Sequence, residues 1–370
     1  MGISVLHVLH SYRSGGMENM IAQMAWLLPR PEFSVTICAL TVADDFKSRL
    51  PKETQLVELN KVRGFDLSCA WSLRRLVREL RPDVVHSHNW NALIYSFMAL
   101  AAGTTPLLHG EHALLYGWER SPWRLQLRKA LYARCDMVHT VSEGQAREMA
   151  GLGLSVGSDF RVIRNGVDTA KFNLLDKAEC RAKLGIKADG PCIGMVARCV
   201  PEKRHSLLLE AFENIAAAIP GVKLLLAGAG GTCEEETKAQ AAGHAFASRI
   251  FWLGQRDDMT TVYNALDLLV LTSTSEGMSN VSLEAMSCGV PVLMHDSCGS
   301  EELIREGLNG CATPMNSAAE VTAAVTRLLK NPGLLQLMGN SARAIIESEH
   351  QLTGTSADYA AVYRGLAAET

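Results

Sequence analysis

The feature that most constrains the fold of this chain is a regular alternation of short apolar runs with longer amphipathic stretches. In the first half, six runs have the length and composition of buried strands: SVLHVL at 4–9, VTICAL at 35–40, DVVHSH at 83–88, PLLHGE at 106–111, MVHTVS at 137–142 and RVIRNGV at 161–167. Amphipathic stretches such as LRRLVREL at 73–80 separate several of them. This alternation predicts a parallel sheet covered by helices.

The alternation is interrupted once, which predicts two domains. Residues 168–190 are polar and charged, and after them the apolar runs resume with CIGMVAR at 192–198, VKLLLAG at 222–228, IFWLG at 250–254, LDLLVLTS at 266–273 and PVLM at 291–294. A chain of 370 residues that is 48% hydrophobic can bury two cores. We therefore expect an α/β protein with two doubly wound, Rossmann-like domains, 1–167 and 191–352, joined by a linker at 168–190.

Charge and cysteine usage narrow the class of protein. A formal net charge of -3 gives no general electrostatic reason to bind nucleic acid. The ten cysteines occur singly, without a C-x-x-C pair, as is usual in a reducing cytosol. The sequence MGISVLHVLH lacks the basic flank and long apolar run of a signal peptide, and no run of eighteen apolar residues occurs. We expect a cytoplasmic protein.

Two of the loops that follow strands have residues suited to binding an anion. In doubly wound sheets ligands bind outside the carboxyl ends of the strands. Gly15 and Gly16 follow the first strand, where the missing Cβ lets backbone N–H groups approach a phosphate, although a tight turn explains the pair equally well. Arg198 ends a strand and Lys203 lies five residues on, so both can bind one diphosphate, or both can be solvated.

A pair of glutamates in EGMSNVSLE, at 276–284, lies between a strand and a helix. Gly277 places Glu276 in the loop, and Glu284 falls inside the helix. Such a pair can be a metal site, the acid and base of a hydrolase, or two acceptors for hydroxyl groups. The absence of a D-x-D motif and of nearby histidines disfavours metal. A polyhydroxylated ligand with a diphosphate, which is a sugar nucleotide, fits the carboxylates and the basic residues together.

Nine segments in order carry a resemblance to one family. They are SGGMENMI at 14–21, RPDVVHSHN at 81–89, HGEH at 109–112, MVHTVSEG at 137–144, VIRNGVDTAKF at 162–172, VARCVPEK at 196–203, LLAGAG at 225–230, FWLGQRDDM at 251–259 and SEGMSNVSLEAMSCGVPVL at 275–293. The chain resembles the retaining GT-B glycosyltransferases with the Glu-x7-Glu signature, glycosyltransferase family 4 or "glycosyl transferases group 1". Its first third is most similar to members that assemble bacterial exopolysaccharide or cell-surface glycans.

The resemblance implies an architecture and a reaction. Two Rossmann-like domains should face each other across a cleft and close over the donor, with the acceptor on the side of the first domain, and the helix at 353–370 should pack back on that domain. The reaction should move a sugar from a UDP- or GDP-sugar to a glycan, lipid-linked or small-molecule acceptor. We expect front-face attack with retention, since no covalent nucleophile stands out, and no metal or other cofactor. Epimerisation or hydrolysis of a sugar nucleotide, or non-catalytic nucleotide-sugar binding, are the alternatives.

The resemblance also implies roles for individual residues. Glu284 should accept hydrogen bonds from the nucleotide ribose, and Glu276 should contact the donor sugar. Arg198 and Lys203 should hold the diphosphate and stabilise the charge that builds on it as the glycosidic bond breaks. The remaining donor contacts fall on Gly15, Gly16, Arg256, Asp257, Gly277, Met278, Ser279 and Asn280.

The family has a histidine after the fourth strand of the first domain, where HGEH offers two candidates. His112 lies at the exit of the strand and is favoured as catalytic over His109. Four histidines in strand-like runs are expected to be packed and hydrogen-bonded rather than catalytic: His7, His86, His109 and His139. The H-S-H at 86–88 puts two imidazoles on one face, but no third ligand has the spacing of a zinc site, so none is predicted.

The stretch at 120–134 has two interpretations. Ser121 and Pro122 suit the start of a helix. One face is apolar and another is basic, with Trp123, Leu127, Ala130 and Leu131 on the first and Arg120, Arg124 and Arg128 on the second. A basic amphipathic helix can lie on anionic lipid, which would make the protein peripheral on the inner face of the cytoplasmic membrane. The other interpretation is a helix that faces the core and has a solvated basic side.

Overall fold

The structure is a computed structural model, and it describes residues 2–13, 15–43, 45–101, 103–155, 160–187, 189–274, 276–297 and 299–369. The strands are β1 (Ile3–Leu9), β2 (Phe33–Ala39), β3 (Gln55–Glu58), β4 (Val84–His88), β5 (Leu107–Glu111), β6 (Met137–Thr140), β7 (Arg161–Val162), β8 (Cys192–Val196), β9 (Lys223–Ala227), β10 (Ile250–Gly254), β11 (Leu268–Leu271), β12 (Val292–His295) and β13 (Gly310–Thr313). The helices are α1 (Gly16–Leu27), α2 (Leu67–Leu80), α3 (Asn89–Leu100), α4 (Pro122–Tyr132), α5 (Glu143–Gly151), α6 (Lys177–Lys183), α7 (His205–Ala218), α8 (Glu234–Ala242), α9 (Met259–Asn264), α10 (Asn280–Ser287), α11 (Ser300–Leu303), α12 (Ala318–Leu329), α13 (Pro332–Glu349) and α14 (Leu352–Ala368).

The strands form two parallel sheets, which confirms the predicted α/β class. The seven-stranded sheet has the order β3-β2-β1-β4-β5-β6-β7, and the six-stranded sheet has the order β10-β9-β8-β11-β12-β13. In each sheet the strand order reverses at the first strand, so that β1 lies between β2 and β4, and β8 lies between β9 and β11. The carboxyl ends of strands at such reversals are where doubly wound sheets bind ligands.

The chain divides into two units, Met1–Asn165 with Thr353–Thr370, and Gly166–Leu352. The expected linker at 168–190 is therefore wrong, because this segment belongs to the second unit. Charged side chains of the segment form hydrogen bonds within that unit. Arg181 in α6 donates to Asp267 Oδ2 at 2.6 Å and to the carbonyl of Ala265 at 2.9 Å. The polar composition of this segment suggests a linker, because the local sequence does not show that its charged residues pair with distant ones.

Each sheet carries its own apolar core. In the first unit Leu6 and Val85 of the sheet share a buried cluster with Leu73 of α2. In the second unit Leu224 of the sheet shares one with Phe212 of α7. Among the described residues, no helix combines the length and apolar character that crossing a bilayer requires.

The apolar runs predict most strands to within two residues. The two strands that they do not predict, β3 and β13, share a cause. Strand β3 has the exposure pattern of an edge strand, with both end residues exposed, and β13 is only half buried at its carboxyl end. Neither segment is a continuous apolar run, so neither was predicted. Of RVIRNGV, only Arg161 and Val162 pair as a strand.

A hydrogen-bonded group of imidazoles lies inside the first unit. We call it the histidine cluster, and its members are His7, His86, His88, His112 and His139. His7 Nδ1 and His88 Nε2 are 2.9 Å apart, and His86 Nε2 lies 3.0 Å from His139 Nε2. Tyr363 of α14 closes the group, with its hydroxyl 2.8 Å from His86 Nδ1. The expectation that His7, His86, His109 and His139 are packed and hydrogen-bonded is confirmed.

Burial keeps these imidazoles neutral. It lowers the pKa of His7 to about 3 and that of His112 to about 4. A neighbouring histidine lowers each pKa further: His112 for His7, and His109 for His112. The pKa values of His86, His88 and His139 are also well below the usual range, first because of burial and then because of neighbouring histidines. A neutral imidazole donates at one nitrogen and accepts at the other, which suits the hydrogen bonds between imidazoles in the cluster.

The histidine cluster predicts a loss of stability in mild acid. Each member has a folded pKa below its usual value of 6.5. Stability is therefore complete above pH 6.5 and falls as the pH drops, because the unfolded chain binds protons that the native chain does not. Each such histidine contributes a slope of about 1.4 kcal/mol per pH unit. Urea unfolding at several pH values between 7.5 and 4.5 measures the slope. Equal stability at pH 7 and pH 5 would contradict neutral burial.

The ion pair of Asp267 predicts a second stability effect. Asp267 accepts from Lys177 Nζ and Arg181 Nη2, both at 2.6 Å, and from the backbone N–H of Cys192 at 2.7 Å. Asp267→Ala leaves the buried Arg181 without its carboxylate, and we expect a loss of about 2–4 kcal/mol in the free energy of unfolding. Glu79→Ala removes only an exposed pair with Arg75 and should cost less than about 0.5 kcal/mol. Similar urea midpoints for the two variants would contradict the assignment.

Candidate active site

A short turn after β8 positions Lys203. The turn, Pro201–Lys203, is a single 3-10 helix, and Thr272 Oγ1 at the exit of β11 donates to the carbonyl of Lys203 at 2.8 Å. Lys203 Nζ then donates to Glu276 Oε1 at 2.6 Å, with both side chains largely buried. The loops after two neighbouring strands are thus joined by a charged hydrogen bond, and the structure brings together two residues that the sequence had assigned separately to the donor.

Glu284 lies in α10 as predicted, on the fifth residue of the helix. The helix begins after Ser279, whose side chain accepts from the backbone N–H of Ser282 at 3.2 Å. Glu284 Oε2 accepts from the hydroxyl of Tyr263 at 2.6 Å. Tyr263 is fully buried, and burial, followed by the charge of Glu284, raises its pKa well above the usual range. No motif marks Tyr263, because its contact with Glu284 joins two helices on either side of β11 and depends on how they pack.

Arg198 is exposed at the end of β8, on backbone that is tightly enclosed. Gly228 has φ +116° and Gly231 has φ +117°. A Cβ on either would collide with a carbonyl group, that of Ala197 for Gly228 and that of Cys199 for Gly231. These glycines, in the segment LLAGAGG, therefore let the loop after β9 pack directly on the segment that carries Arg198.

The loop that carries Glu276 is also enclosed by backbone. Gly277, Met278 and Ser279 are buried, and Asn280 is half-buried. A Cβ on Gly299, just before α11, would collide with the carbonyl oxygens of Glu276 and Gly277. Gly299 thus allows the loop after β12 to approach, and nothing in the local sequence singled it out as part of the site.

The segment after β10 holds Arg256 and Asp257. The Arg256 guanidinium makes two parallel hydrogen bonds to Asp258, each 2.7 Å long. These bonds raise the pKa of Arg256 and lower the pKa of Asp258. The Asp257 side chain is exposed. The segment predicted to contact the donor is therefore fixed by a local ion pair between Arg256 and Asp258.

In the first unit, the predicted glycine turn lies at the start of α1. The helix begins at Gly16, and Gly15 is extended, with φ -170°, a conformation open to any residue. A Cβ on Gly15 would collide with the carboxylate of Glu18. The Glu18 carboxylate is the far end of a flexible side chain and can move aside, so neither space nor backbone conformation requires a glycine at position 15.

The two histidines of HGEH differ in position. His109 is fully buried, with Nδ1 2.9 Å from Ser87 Oγ and Nε2 3.1 Å from Glu111 Oε1. His112 is half-buried just after β5, and its Nε2 lies 2.9 Å from His88 Nδ1. His112 is therefore the member of the histidine cluster that solvent and ligands can reach.

One trio of histidines has the spacing of metal ligands among the residues that the structure describes. Nitrogen atoms of His7, His86 and His88 lie within 4.8 Å of one another. The parallel pairing of β1 with β4 supplies His7 as the third imidazole, which spacing in the sequence could not show. His7 and His88 already lie at hydrogen-bond distance, so the described geometry is that of neutral imidazoles sharing protons.

Helix α4 corrects the expectation for 120–134. Arg128 is 2% exposed and paired with the buried Glu111, so the predicted basic side is not solvated there. The predicted apolar face is divided, since Leu131 is buried whereas Trp123 and Leu127 are 61% and 41% exposed. Arg128 is buried because the carboxylate of Glu111, buried at the end of β5, needs a cation from the helix that covers it.

Two family models match successive parts of the chain. The model described as "Glycosyltransferase Family 4" matches residues 14–171, and the model described as "Glycosyl transferases group 1" matches residues 176–345.

Curated relatives include enzymes named D-inositol 3-phosphate glycosyltransferase. The protein of Actinosynnema mirum is 25% identical over 367 residues, which cover 89% of this chain and 87% of that protein. The protein of Mycobacterium marinum is 26% identical over 264 residues, which cover 67% of this chain and 56% of that protein. The chain thus matches only about half the length of the Mycobacterium relative.

Solved structures share the fold. Anabaena Alr3699/HepE in complex with UDP and glucose has a TM-score of 0.83 at 23% identity, covering 97% of this chain and 98% of that one. Sucrose-phosphate synthase from Thermosynechococcus elongatus has a TM-score of 0.85 at 18% identity and full coverage of both chains. The two family models together match most of the chain, and with the two parallel sheets they establish that the chain belongs to glycosyltransferase family 4, the group 1 glycosyl transferases of GT-B fold.

Proposed function

We propose that the protein transfers a sugar from a UDP-sugar to an acceptor hydroxyl with retention of configuration and without a metal. The observation that carries the proposal is the Lys203–Glu276 ion pair next to the start of α10, at the carboxyl ends of β8 and β11. A cation next to a carboxylate at this edge of the sheet supports the binding of a diphosphate and a sugar hydroxyl side by side. Complexes of the Anabaena protein with UDP and with UDP-glucose favour a UDP-sugar over the GDP-sugar that the sequence left open.

The proposed catalysis is electrostatic. Lys203 gives one hydrogen bond to Glu276 and has two further N–H donors for the diphosphate. The exposed guanidinium of Arg198 can grip the same diphosphate with two parallel bonds. Their charges stabilise the leaving group mainly in the transition state, when its negative charge builds up. The departing phosphate oxygen then takes the proton of the acceptor hydroxyl, which attacks from the same face.

His112 is proposed to act as a neutral hydrogen-bond partner beside the reacting carbon. Its pKa is lowered to about 4, so it carries no charge near pH 7. Its Nε2 is engaged with His88, which leaves the half-buried ring edge for the substrate. A neutral imidazole can accept from a sugar hydroxyl without adding a positive charge that would oppose an oxocarbenium-like transition state.

The acceptor surface is proposed to lie near a membrane. Trp118 and Trp123 are 60% and 61% exposed, and the guanidinium of Arg124 lies 3.9 Å from the first ring and 4.6 Å from the second. Exposed indoles with an adjacent cation are typical of surfaces that contact the headgroup region of a bilayer. The exposed Leu127 adds to the same helix.

Substitution of the two glutamates should separate binding from turnover. Glu284→Gln weakens hydrogen bonds to the ribose, so we expect UDP affinity to fall about tenfold, equivalent to about 1.4 kcal/mol. Glu276→Gln, beside the sugar, should lower kcat more than it changes the Kd for UDP. Titration calorimetry and a transfer assay measure both quantities. Glu235→Gln, on a side chain 89% exposed, is the control. Unchanged UDP affinity with lost turnover in Glu284→Gln would reverse the assigned roles.

Incubation of the donor alone separates transfer from the alternative reactions. We expect slow release of free sugar from UDP-glucose, because the water that would replace the acceptor is poorly positioned. Rapid formation of an epimer or of free sugar would favour an epimerase or hydrolase. UDP-sugar binding without turnover toward any acceptor fraction would favour a non-catalytic binding protein.

Vesicle flotation tests the membrane contact. The wild-type protein should float with vesicles that contain phosphatidylglycerol, and the double variant Trp118→Ser, Trp123→Ser should lose most of this binding. Leu337→Ser, which removes a 65% exposed side chain from the second unit, serves as control. Equal flotation of wild-type and double-variant protein would remove this surface from the proposal.

A further inference from the structure

A cavity of about 540 Å³ opens at the carboxyl edge of the sheet in the first unit. His10 follows β1 at one side of the cavity, and Lys61 follows β3 at the other. Asn91 and Tyr95 of α3 form part of its wall. Ligands of doubly wound sheets bind at this edge, so the cavity has the position of a substrate site.

The cavity is basic. Its formally charged lining residues are Lys61 and Arg63, both positive, and no carboxylate is among the described residues that line it. Lys61 Nζ donates to the carbonyls of Val62, at 2.9 Å, and Gly64, which holds the ammonium group at the wall. Cations gathered around a concave surface raise the local concentration of anions. The cavity therefore suits a ligand with a negative charge.

One wall of the cavity is aromatic. The rings of Phe65 and Tyr95 stack with their centroids 6.0 Å apart. Lys61 Nζ lies 5.5 Å from the centroid of the Tyr95 ring, so the cation and the aromatic face adjoin. The Tyr95 hydroxyl accepts from the backbone N–H of Asp66 at 2.8 Å, which fixes the ring. A rigid apolar face next to a cation suits a ligand that is partly apolar and partly anionic.

The segment that borders the cavity exposes large apolar side chains. Val62 and Phe65, which also line the cavity, are 64% and 65% exposed, and Leu67 and Trp71 of α2 are 57% and 67% exposed. Leu67 and Trp71 are four residues apart in the helix, so they lie on one face. Together with the lining residues they form what we call the apolar rim: Val62, Phe65, Leu67 and Trp71. Four exposed large apolar side chains within residues 62–71 favour a binding surface over chance exposure.

We propose that the cavity and the apolar rim together bind an amphiphilic acceptor, with an anionic phosphate or diphosphate group in the cavity and a hydrocarbon chain on the rim. This rests on the proposed function, because the ligand is assigned as the acceptor of the transfer. A water-soluble sugar phosphate would account for the basic cavity but not for four exposed apolar side chains. A bare lipid surface would account for the rim but not for a cation held inside a cavity. A lipid-linked phosphate accounts for both.

Binding of three probes tests the proposal. Farnesyl diphosphate carries both parts of the ligand, glucose 1-phosphate carries only the anion, and farnesol carries only the chain. In titrations of the full chain we expect farnesyl diphosphate to bind at least tenfold more tightly than either of the others. The double variant Lys61→Gln, Arg63→Gln should lower its affinity at least tenfold.

A second variant separates the rim from the cavity. Phe65→Ser, Trp71→Ser should weaken farnesyl diphosphate about tenfold and leave glucose 1-phosphate unchanged. The control Lys330→Gln, Leu337→Ser removes one exposed charge and one exposed apolar group from the second unit and should bind as wild type. Thermal melts of all variants identify any that fail to fold, and the single substitutions Arg63→Gln and Trp71→Ser, both at exposed positions, then replace them.

The outcomes decide the proposal separately from the donor reaction. Equal affinities for farnesyl diphosphate and glucose 1-phosphate would overturn it in favour of a free sugar phosphate. Vesicle binding is measured in the Trp118→Ser, Trp123→Ser background. Binding to phosphatidylglycerol vesicles that is lost with Phe65→Ser, Trp71→Ser but is not displaced by farnesyl diphosphate would overturn the proposal in favour of a lipid surface. UDP binding is measured in the same samples: retained UDP binding without amphiphile binding defeats this inference alone, whereas a wild-type protein that does not bind UDP defeats the proposed function.

Discussion

The hydrogen bond between Lys203 Nζ and Glu276 Oε1, 2.6 Å long, joins the loops that follow two adjacent parallel strands, β8 and β11. Much of the second unit near the site serves to hold these loops. Thr272 binds the backbone of Lys203, and Gly299 lets the loop after β12 approach the backbone of Glu276. Because α10 begins four residues after Glu276, the same loop also sets the position of Glu284.

A cation paired with a carboxylate in this way is ready for a ligand that contains both a phosphate and hydroxyl groups. The pair offsets part of the desolvation penalty that either charge alone would carry when partly buried. It also keeps both side chains in place when no ligand is bound, so less conformational entropy is lost when the donor binds. The Tyr263 hydroxyl does the same for Glu284 by holding one of its carboxylate oxygens in place.

Much of the fold could be predicted from the sequence, because strands buried in a parallel sheet are continuous apolar runs. The half-exposed β3 and β13 lack that signal. The predictions for the segment 168–190 and for Arg128 fail for the same reason. A charged side chain is expected to be solvated when its ion-pair partner lies elsewhere in the sequence. In the candidate site, local spacing indicates the pairs Arg198 with Lys203 and Glu276 with Glu284, and the resemblance to the family implies the other residues. Tyr263 and Gly299 act through contacts with residues more than twenty positions away, and the third imidazole of the histidine trio depends on the pairing of β1 with β4. Such contacts are set by topology and leave no local pattern.

The central claim is that the second unit holds the donor through Lys203, Glu276 and Glu284. A crystal structure of the protein with UDP-glucose measures this directly. We expect ribose hydroxyls within hydrogen-bond distance of the Glu284 carboxylate, a diphosphate bound by Arg198 and Lys203, and glucose hydroxyls on Glu276, with no metal ion at the diphosphate. A nucleotide bound away from these residues, or a diphosphate held by a metal ion instead of the two cations, would contradict it.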